Sequence, residues 1–299
     1  MRKSVFLIVL SVFLMVFAAQ NTFGQTIEGN HYELTVAPDQ KAVLILFPCF
    51  PCNIEHTKTE AGFLKGIDKK GVTTILLDYN QKLFLTESEK QKYAKTLHRI
   101  FKRNKISPDN IYIGGFSGGG NVALLMTAFL IKNQDPLQPK GLMVVDSPID
   151  LEKLYDNAKK DVAKNADPEA VEEGRYLTEL LEKEIGKPDT SREKYKTLSP
   201  YLMSASPDEG NIQYLKHIKT RLYCEPDLKW QLAKKNRTYE ELNAYVLEKA
   251  HQTLLKAGNT QAELIQTKDR GIRANGTKHP HSWNIVEGNE LVKWMVDFR

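Results

Sequence analysis

Short blocks of consecutive apolar residues alternate along the chain with stretches in which apolar residues recur every three or four positions. The strands predicted from these blocks fall at residues 41–47, 72–78, 111–113, 140–146, 220–224 and 262–267, and residues 41–47 form the most continuous apolar run. Continuous apolar runs of this length are typical of parallel strands that are covered on both faces. Strands that alternate with helices predict βαβ units around a largely parallel sheet. The pattern therefore indicates an α/β protein.

The remaining segments complete this outline. Residues 25–40 predict an opening hairpin or edge strand, and residues 56–70 a polar helix. Residues 87–105 and 239–257 have helical periodicity, and Gly258 is placed to end the second of these helices. An amphipathic helix that includes Phe298 closes the chain.

One segment, residues 149–213, breaks the alternation of strands and helices. It is rich in lysine, glutamate and aspartate and predicts two or three amphipathic helices. Helices with this many charged residues usually expose a solvated face. The segment is either a cap over a site or a solvated helical segment without a role at a site.

The most informative motif is Gly115-Phe116-Ser117-Gly118-Gly119, a match to G-x-S-x-G between an apolar strand and a long apolar helix. A serine at a sharp strand-to-helix turn has a strained backbone that exposes its hydroxyl above the sheet. The turn brings together the residues two positions before and two positions after the serine. Glycine fits at both positions because it lacks a Cβ. No Lys-Ser or Lys-Thr pair follows the glycines, so a phosphate-binding P-loop is disfavoured. The motif therefore predicts that Ser117 is a nucleophile.

With this motif, and with a strand order that covers most of the chain after residue 30, the sequence resembles the α/β-hydrolase family. The resemblance implies a mostly parallel sheet with helices on both faces, and it identifies residues 149–213 as a cap-like insertion. It also implies acyl-serine chemistry, in which a histidine takes the serine proton and an acid orients that histidine.

The family's chain order of serine, acid and histidine selects candidates for the two partners of Ser117. His281 and His279 both lie in the loop after the last predicted strand, and His281 is the favoured base. Asp227, which follows the strand at residues 220–224, is the favoured acid. Glu225 and Asp146 are the alternatives, since each also follows the end of a strand.

Two backbone N–H groups are expected to bind the oxyanion. The first belongs to Gly118, at the start of the helix, where unpaired N–H groups favour negative charge. The second is expected from the loop after residues 41–47, where Cys49 or Phe50 could supply it. The prolines of that loop cannot, because proline has no N–H. The loop lacks the His-Gly pattern common at this point in the family.

The chain has three cysteines, Cys49, Cys52 and Cys224. Cys49 and Cys52 could form a disulfide in an oxidising compartment, whereas Cys224 falls in a predicted buried strand as an inert thiol. A strand followed by C-x-x-C also begins thioredoxin-like redox proteins, which is a second hypothesis for function. A hydrolase fold used only for binding is a third. His279 and His281 lack the neighbouring ligands of a metal site, and none is predicted.

The first 24 residues have the order of a secretory signal peptide, a basic pair, an apolar core and then small residues. We expect cleavage after Ala18, Ala19 or Gly24, which leaves a hydrolase domain over residues 25–299 in a secreted or periplasmic protein. The apolar core is shorter than a membrane-spanning helix, and no later stretch is long and apolar enough to be one. The net charge of +5 falls to +3 without Arg2 and Lys3, too small to indicate nucleic-acid binding.

Together these features predict a serine hydrolase that acts on a small-molecule carboxylic ester without a cofactor. An amide or peptide substrate is the alternative within the same fold, because fold alone does not decide substrate.

Overall fold

The computed structural model describes residues 24–78 and 82–297. The predicted signal peptide up to residue 23 and Phe298 lie outside these ranges. Within them, eight strands form one sheet: β1 (Gln25–Gly29), β2 (Tyr32–Val36), β3 (Ala42–Phe47), β4 (Val72–Leu77), β5 (Ile111–Phe116), β6 (Pro139–Val145), β7 (Lys219–Cys224) and β8 (Ala262–Gln266).

The sheet is parallel except at one edge. Its order is β1-β2-β4-β3-β5-β6-β7-β8, in which β1 and β2 form an antiparallel hairpin and β2 pairs antiparallel with β4. All other neighbours are parallel. Every residue of β3, β4 and β5 is buried, as the continuous apolar runs predict. The carboxyl ends of the parallel strands therefore meet at one edge of the sheet.

Helices cover both faces of this sheet. They are α1 (Ile54–Glu60), α2 (Glu87–Asn104), α3 (Gly118–Lys132), α4 (Leu151–Lys164), α5 (Pro168–Glu184), α6 (Arg192–Leu198), α7 (Leu228–Lys235), α8 (Asn243–Lys256) and α9 (Gly288–Val296). One core packs α2, α3 and α8 on one face, and a second core packs α9 and the loop around Trp283 on the other. The predicted α/β class with helices on both faces is confirmed.

The segment between β6 and β7 folds into three helices, α4, α5 and α6, which pack together over a small core. Gly174 lets α5 approach α4 closely, because a Cβ at this position would lie 2.6 Å from the carbonyl oxygen of Ala158. Asp150 and Asp167 cap α4 and α5 by accepting backbone N–H bonds in the first turn.

Two predicted helices have different bounds in the structure. The helix expected over residues 56–70 is α1 followed by two 3-10 turns, and Gly71 ends the segment in a left-handed conformation with φ 86°. The helix expected over residues 239–257 begins as a 3-10 turn at Tyr239–Glu241 and continues as α8. Helix α7 was not predicted, although Asp227 caps its N-terminus.

Among the residues that the structure describes, no helix is both long enough and apolar enough to cross a membrane.

Candidate active site

Ser117 stands at the turn between β5 and α3 with φ 54° and ψ −129°. Few L-residues adopt a positive φ, and such strain persists only where the surrounding structure enforces it. Here the Ser117 N–H donates to the carbonyl oxygen of Val145 on the neighbouring strand, at 2.9 Å. The backbone of the turn is therefore fixed to the sheet while the serine side chain projects from it.

The glycines of the motif have the steric role that the pattern predicts. A Cβ on Gly115 would lie 2.1 Å from the carbonyl oxygen of Gly119, so these two positions are in direct backbone contact. A Cβ on Gly119 would lie 2.1 Å from the carbonyl oxygen of Pro48. The turn is thus packed both on itself and on the loop that follows β3, and a side chain at either glycine would push them apart.

His281 lies in the loop between β8 and α9 and forms a short contact with an acid. Its Nδ1 is 2.6 Å from Oδ2 of Asp146. Because a carboxylate accepts, Nδ1 donates, which leaves Nε2 free to accept a proton when the ring is neutral. The ring packs on Phe116, the residue before Ser117, with centroids 4.4 Å apart. Ser117, Asp146 and His281 line one pocket.

Asp146 directly follows β6, the strand beside β5, and has a positive φ of 40°. Its N–H donates to the carbonyl oxygen of Tyr223 at 2.8 Å, and its own carbonyl accepts from Asn243 at 2.9 Å. The side chain is largely buried beside the pocket. These backbone bonds hold the carboxylate beneath the imidazole of His281.

The preference for Asp227 over Asp146 as partner of His281 is wrong for this structure. Asp227 instead forms an ion pair with Lys278 at 2.8 Å, and its other oxygen accepts the N–H of Trp230 at the start of α7. The hydrogen bond from Lys278 holds the pKa of Asp227 below its usual range. Both oxygens are thus committed to a surface ion pair and a helix cap.

Glu225 is buried, but it too bonds to groups other than His281. Its carboxylate accepts from the Thr267 hydroxyl and from the backbone N–H groups of Arg270 and Gly271, at 2.9 to 3.0 Å. These contacts hold the start of the loop that leads to His281. Glu225 is therefore a positioning residue for this loop.

His279 faces the same pocket with a different set of contacts. Its Nδ1 donates to the carbonyl oxygen of His281 at 3.1 Å, and its ring meets the edge of Trp230. Burial, with the nearby charge of Arg273, lowers the pKa of His279 to about 3. No acid of the described residues contacts its ring, so the structure favours His281 over His279 as the base.

The loop after β3 lies against the start of α3. A Cβ on Gly118 would lie 2.7 Å from Cβ of Phe50 and 3.5 Å from its backbone nitrogen. This proximity favours Phe50 over Cys49 as the residue whose N–H accompanies that of Gly118. Cys49 is buried, and its carbonyl oxygen accepts the N–H of Cys52 at 2.8 Å.

Cys49 and Cys52 form a disulfide across this loop, the pairing considered from the sequence. Their sulfurs and a ring nitrogen of His56 lie within 4.8 Å of one another, the one group of potential metal ligands of this kind among the described residues. Thiolates bind metals, and a disulfide offers none, so the oxidised loop does not provide that ligand set. Cys224 is free and buried, and burial raises the pKa of its thiol, as expected of an inert cysteine.

Several residues that support the site were not identified from the sequence. Trp283 is fully buried, and its ring packs on Phe63 and Phe116, which anchors the loop that carries His281. Ser282 donates to the carbonyl oxygen of Ile272 at 3.2 Å. Both residues directly follow His281 in the chain, which is the one local signal for these contacts.

Comparison with known proteins supports the fold. An esterase/lipase from an uncultured bacterium aligns over 93% of this chain and 87% of its own, with 17% identity and a TM-score of 0.57. The protein EstE5 aligns over 98% of this chain and 92% of its own, with 16% identity and a TM-score of 0.56. Carboxyl esterase 2 of the fungus Tuber melanosporum aligns over 84% of this chain and 78% of its own, with 17% identity and a TM-score of 0.53.

No protein-family model and no curated protein sequence matches the chain. The structural neighbours are esterases and lipases of the α/β-hydrolase fold, and at these identities their likeness establishes the architecture. The chain therefore has the α/β-hydrolase fold that the serine motif predicted. The short thioredoxin-like domain considered for Cys49 and Cys52 is not the fold of this chain.

Proposed function

We propose that the protein is a serine hydrolase that cleaves carboxylic esters through an acyl-serine intermediate. The observation that supports this most directly is the 2.6 Å contact between His281 Nδ1 and Asp146, in the pocket that Ser117 lines. In the proposed reaction, the Ser117 hydroxyl attacks the ester carbonyl while Nε2 of His281 takes its proton. Asp146 holds the tautomer and stabilises the imidazolium.

In this proposal the N–H groups of Gly118 and Phe50 bind the tetrahedral oxyanion, which is supported by the 3.5 Å between a Cβ built on Gly118 and the backbone nitrogen of Phe50. His281 then returns its proton to the leaving alcohol, the ester bond breaks, and an acyl-serine remains. Water attacks this acyl group with His281 again as base, and the acid product leaves. No step needs a cofactor, because each proton moves between Ser117, His281, substrate and water.

A fluorophosphonate probe and p-nitrophenyl butyrate test the proposal. We expect the probe to label Ser117, and we expect Ser117→Ala to lose both the labelling and the hydrolysis. Ser88→Ala is the matched control, because Ser88 is exposed and lies away from the pocket. Wild-type turnover by a folded Ser117→Ala variant would end the proposal. If activity were instead lost only on replacing Cys49 and Cys52, the redox hypothesis would be favoured.

A further inference from the structure

The pocket that contains Ser117 has an apolar wall and a charged wall. The apolar wall includes Phe50, Leu83 and Leu177, which belong to one small cluster. The charged wall is formed by residues of α4, α5 and α7 and by residues that follow α7. Esters with purely apolar substituents have no use for charged side chains at this wall, since desolvating a charge without a partner is costly.

Three acidic side chains of this wall, Asp161, Glu241 and Asp150, have partners within the protein. Asp161 binds Arg237 through both of its oxygens, in the fork geometry that suits arginine and a carboxylate. Glu241 pairs with Lys164. Asp150 is buried and accepts the N–H groups of Met203 and Lys153. Their charges and acceptors are therefore largely satisfied without a ligand.

Lys235 differs from these residues. It lines the pocket from the last turn of α7 and is half-buried, yet no carboxylate of residues 24–78 or 82–297 lies within ion-pairing distance of its Nζ. Arg237, two residues later, adds a like charge. Burial and this repulsion both lower the pKa of Lys235, although the more distant acids Glu173, Asp167 and Asp161 act in the opposite sense.

Gln231 lies one helical turn before Lys235, so both side chains belong to the same face of α7. Its Oε1 is buried, lines the same pocket region and has no hydrogen-bond partner among the described residues. A buried acceptor without a donor costs about 1 to 3 kcal/mol. The two residues together present an ammonium donor and an amide acceptor toward one space.

We propose that Lys235 and Gln231 form a subsite for an anionic, hydroxyl-bearing group of the substrate, so that the natural ester has such a group on its acyl or its alcohol half. This inference rests on the proposed esterase function. The carboxylate or phosphate of the substrate pairs with Lys235, and a neighbouring hydroxyl donates to Gln231. Neither interaction involves the reacting atoms, so the subsite acts through binding and substrate selection.

Two matched pairs of esters distinguish the two halves of the substrate. On the acyl side, 4-nitrophenyl hydrogen glutarate is compared with 4-nitrophenyl 4-carbamoylbutanoate, in which a neutral amide replaces the carboxylate. On the alcohol side, 3-acetoxybenzoate is compared with 3-acetoxybenzamide. In the pair that matches the natural substrate, we expect the wild-type kcat/KM of the anionic ester to exceed that of the neutral ester by roughly tenfold. This difference should come mainly from KM, and its size is that expected for one charge-assisted hydrogen bond. The preference should weaken as salt increases.

Lys235→Gln should remove this preference by lowering kcat/KM for the anionic ester roughly tenfold. Lys234→Gln is the matched control, because Lys234 shares the helix terminus but lies outside the pocket. Glu173→Gln should keep the preference or raise it, since it removes a competing negative charge. Equal kcat/KM within both pairs, or a preference that persists in Lys235→Gln, overturns the inference.

Direct binding keeps this test separate from the esterase proposal. Titration calorimetry with the Ser117→Ala variant measures binding of the same four esters without turnover. Tighter binding of an anionic member that depends on Lys235 supports the subsite even if the wild type hydrolyses none of them. Equal binding of all members overturns the subsite and leaves hydrolysis of p-nitrophenyl butyrate as independent support for the proposed function.

Discussion

At the scale of single residues, the environment of each carboxylate separates three acids that all follow strand ends. Asp146 meets an imidazole, Asp227 meets an ammonium group and a helix N-terminus, and Glu225 meets backbone N–H groups. Only the first arrangement can orient a base and stabilise its charged form. The other two fix a loop and a helix around it.

This difference leads to a prediction about the acid. Asp146→Asn should lower kcat by about 10⁴, the size of the effect when an asparagine imposes the wrong tautomer on a catalytic histidine. Asp227→Asn should lower kcat less than tenfold, since it removes a partly exposed ion pair worth about 1 kcal/mol and keeps an acceptor for the helix cap. Steady-state kinetics with p-nitrophenyl butyrate measures both.

Circular dichroism must show that each variant is folded, because Asp146 also lies in a strained turn with φ 40°. An asparagine tolerates such a conformation well, which makes it the suitable replacement. A folded Asp146→Asn enzyme with nearly full activity, next to an inactive Asp227→Asn enzyme, would return the role to the acid favoured from the sequence.

At the scale of elements, local patterns were enough to predict most strands and the serine turn. Runs such as Ala42–Phe47 are buried on both faces, and that burial requires an apolar sequence. The G-x-S-x-G glycines are equally local, because the contact between Gly115 and Gly119 spans one turn. The sheet, the helical insertion and the serine turn between β5 and α3 are therefore predictable from the sequence.

The parts that sequence did not predict depend on contacts between distant segments. Asp146 and His281 are 135 positions apart, and nothing local to either distinguishes Asp146 from Asp227. Helix α7 was missed because it has only eight residues, half of them polar, and none of them is buried. The helix predicted over residues 56–70 ends at Glu60 because Gly62, a weak helix former, donates its N–H to Asn284 at 3.1 Å instead of continuing the helix.

The loop between β3 and α1 combines the proposed oxyanion donor Phe50 with a covalent constraint. The disulfide closes only the four residues Cys49 to Cys52, and Phe50 lies between the two sulfurs in the chain. Closing so short a loop stabilises the folded state by about 2 kcal/mol in the chain-entropy model. The same constraint limits the motion of the Phe50 N–H beside Gly118.

We therefore predict that replacing Cys49 and Cys52 with serine lowers both stability and turnover. The free energy of unfolding should fall by about 2 kcal/mol. The kcat should fall by on the order of tenfold. Complete loss of an oxyanion donor lowers kcat by about 10² to 10³, and the expected effect is smaller because the loop keeps its packing. Urea unfolding and p-nitrophenyl butyrate kinetics measure the two effects.

Reduction with dithiothreitol should cause the same two losses in Cys224→Ala, but it should have no further effect in the variant that lacks Cys49 and Cys52. Unchanged kcat and stability would show that the disulfide is incidental.

At the scale of the whole molecule, the first described strand fixes where a leader can be removed without damage. Strand β1 begins at Gln25 and pairs with β2 from Gln25↔Val36 to Gly29↔Tyr32. Just before it, the N–H of Gly24 donates to Asp68 at 2.9 Å. Removal of residues up to Ala18, Ala19 or Gly24 keeps all of these strand pairs. A cut after Thr26 would remove two of them from the edge of the sheet.

This leads to the prediction that the exported chain begins between Ala19 and Thr26. The apolar segment after Arg2 and Lys3 has the length and order of a signal peptide, and small residues precede each expected junction. The N-terminal sequence of the protein recovered outside the cytoplasm should therefore begin within this window, with β1 complete or nearly so.

A variant with Arg2→Glu and Lys3→Glu tests export itself, and its export should fall because a signal peptide needs a basic start. The control variant Lys41→Glu changes charge in the same direction in the mature chain, and its export should not change. Recovery of the exported chain with Met1 intact would refute cleavage, and export unaffected by loss of both basic residues would refute the signal-peptide interpretation itself.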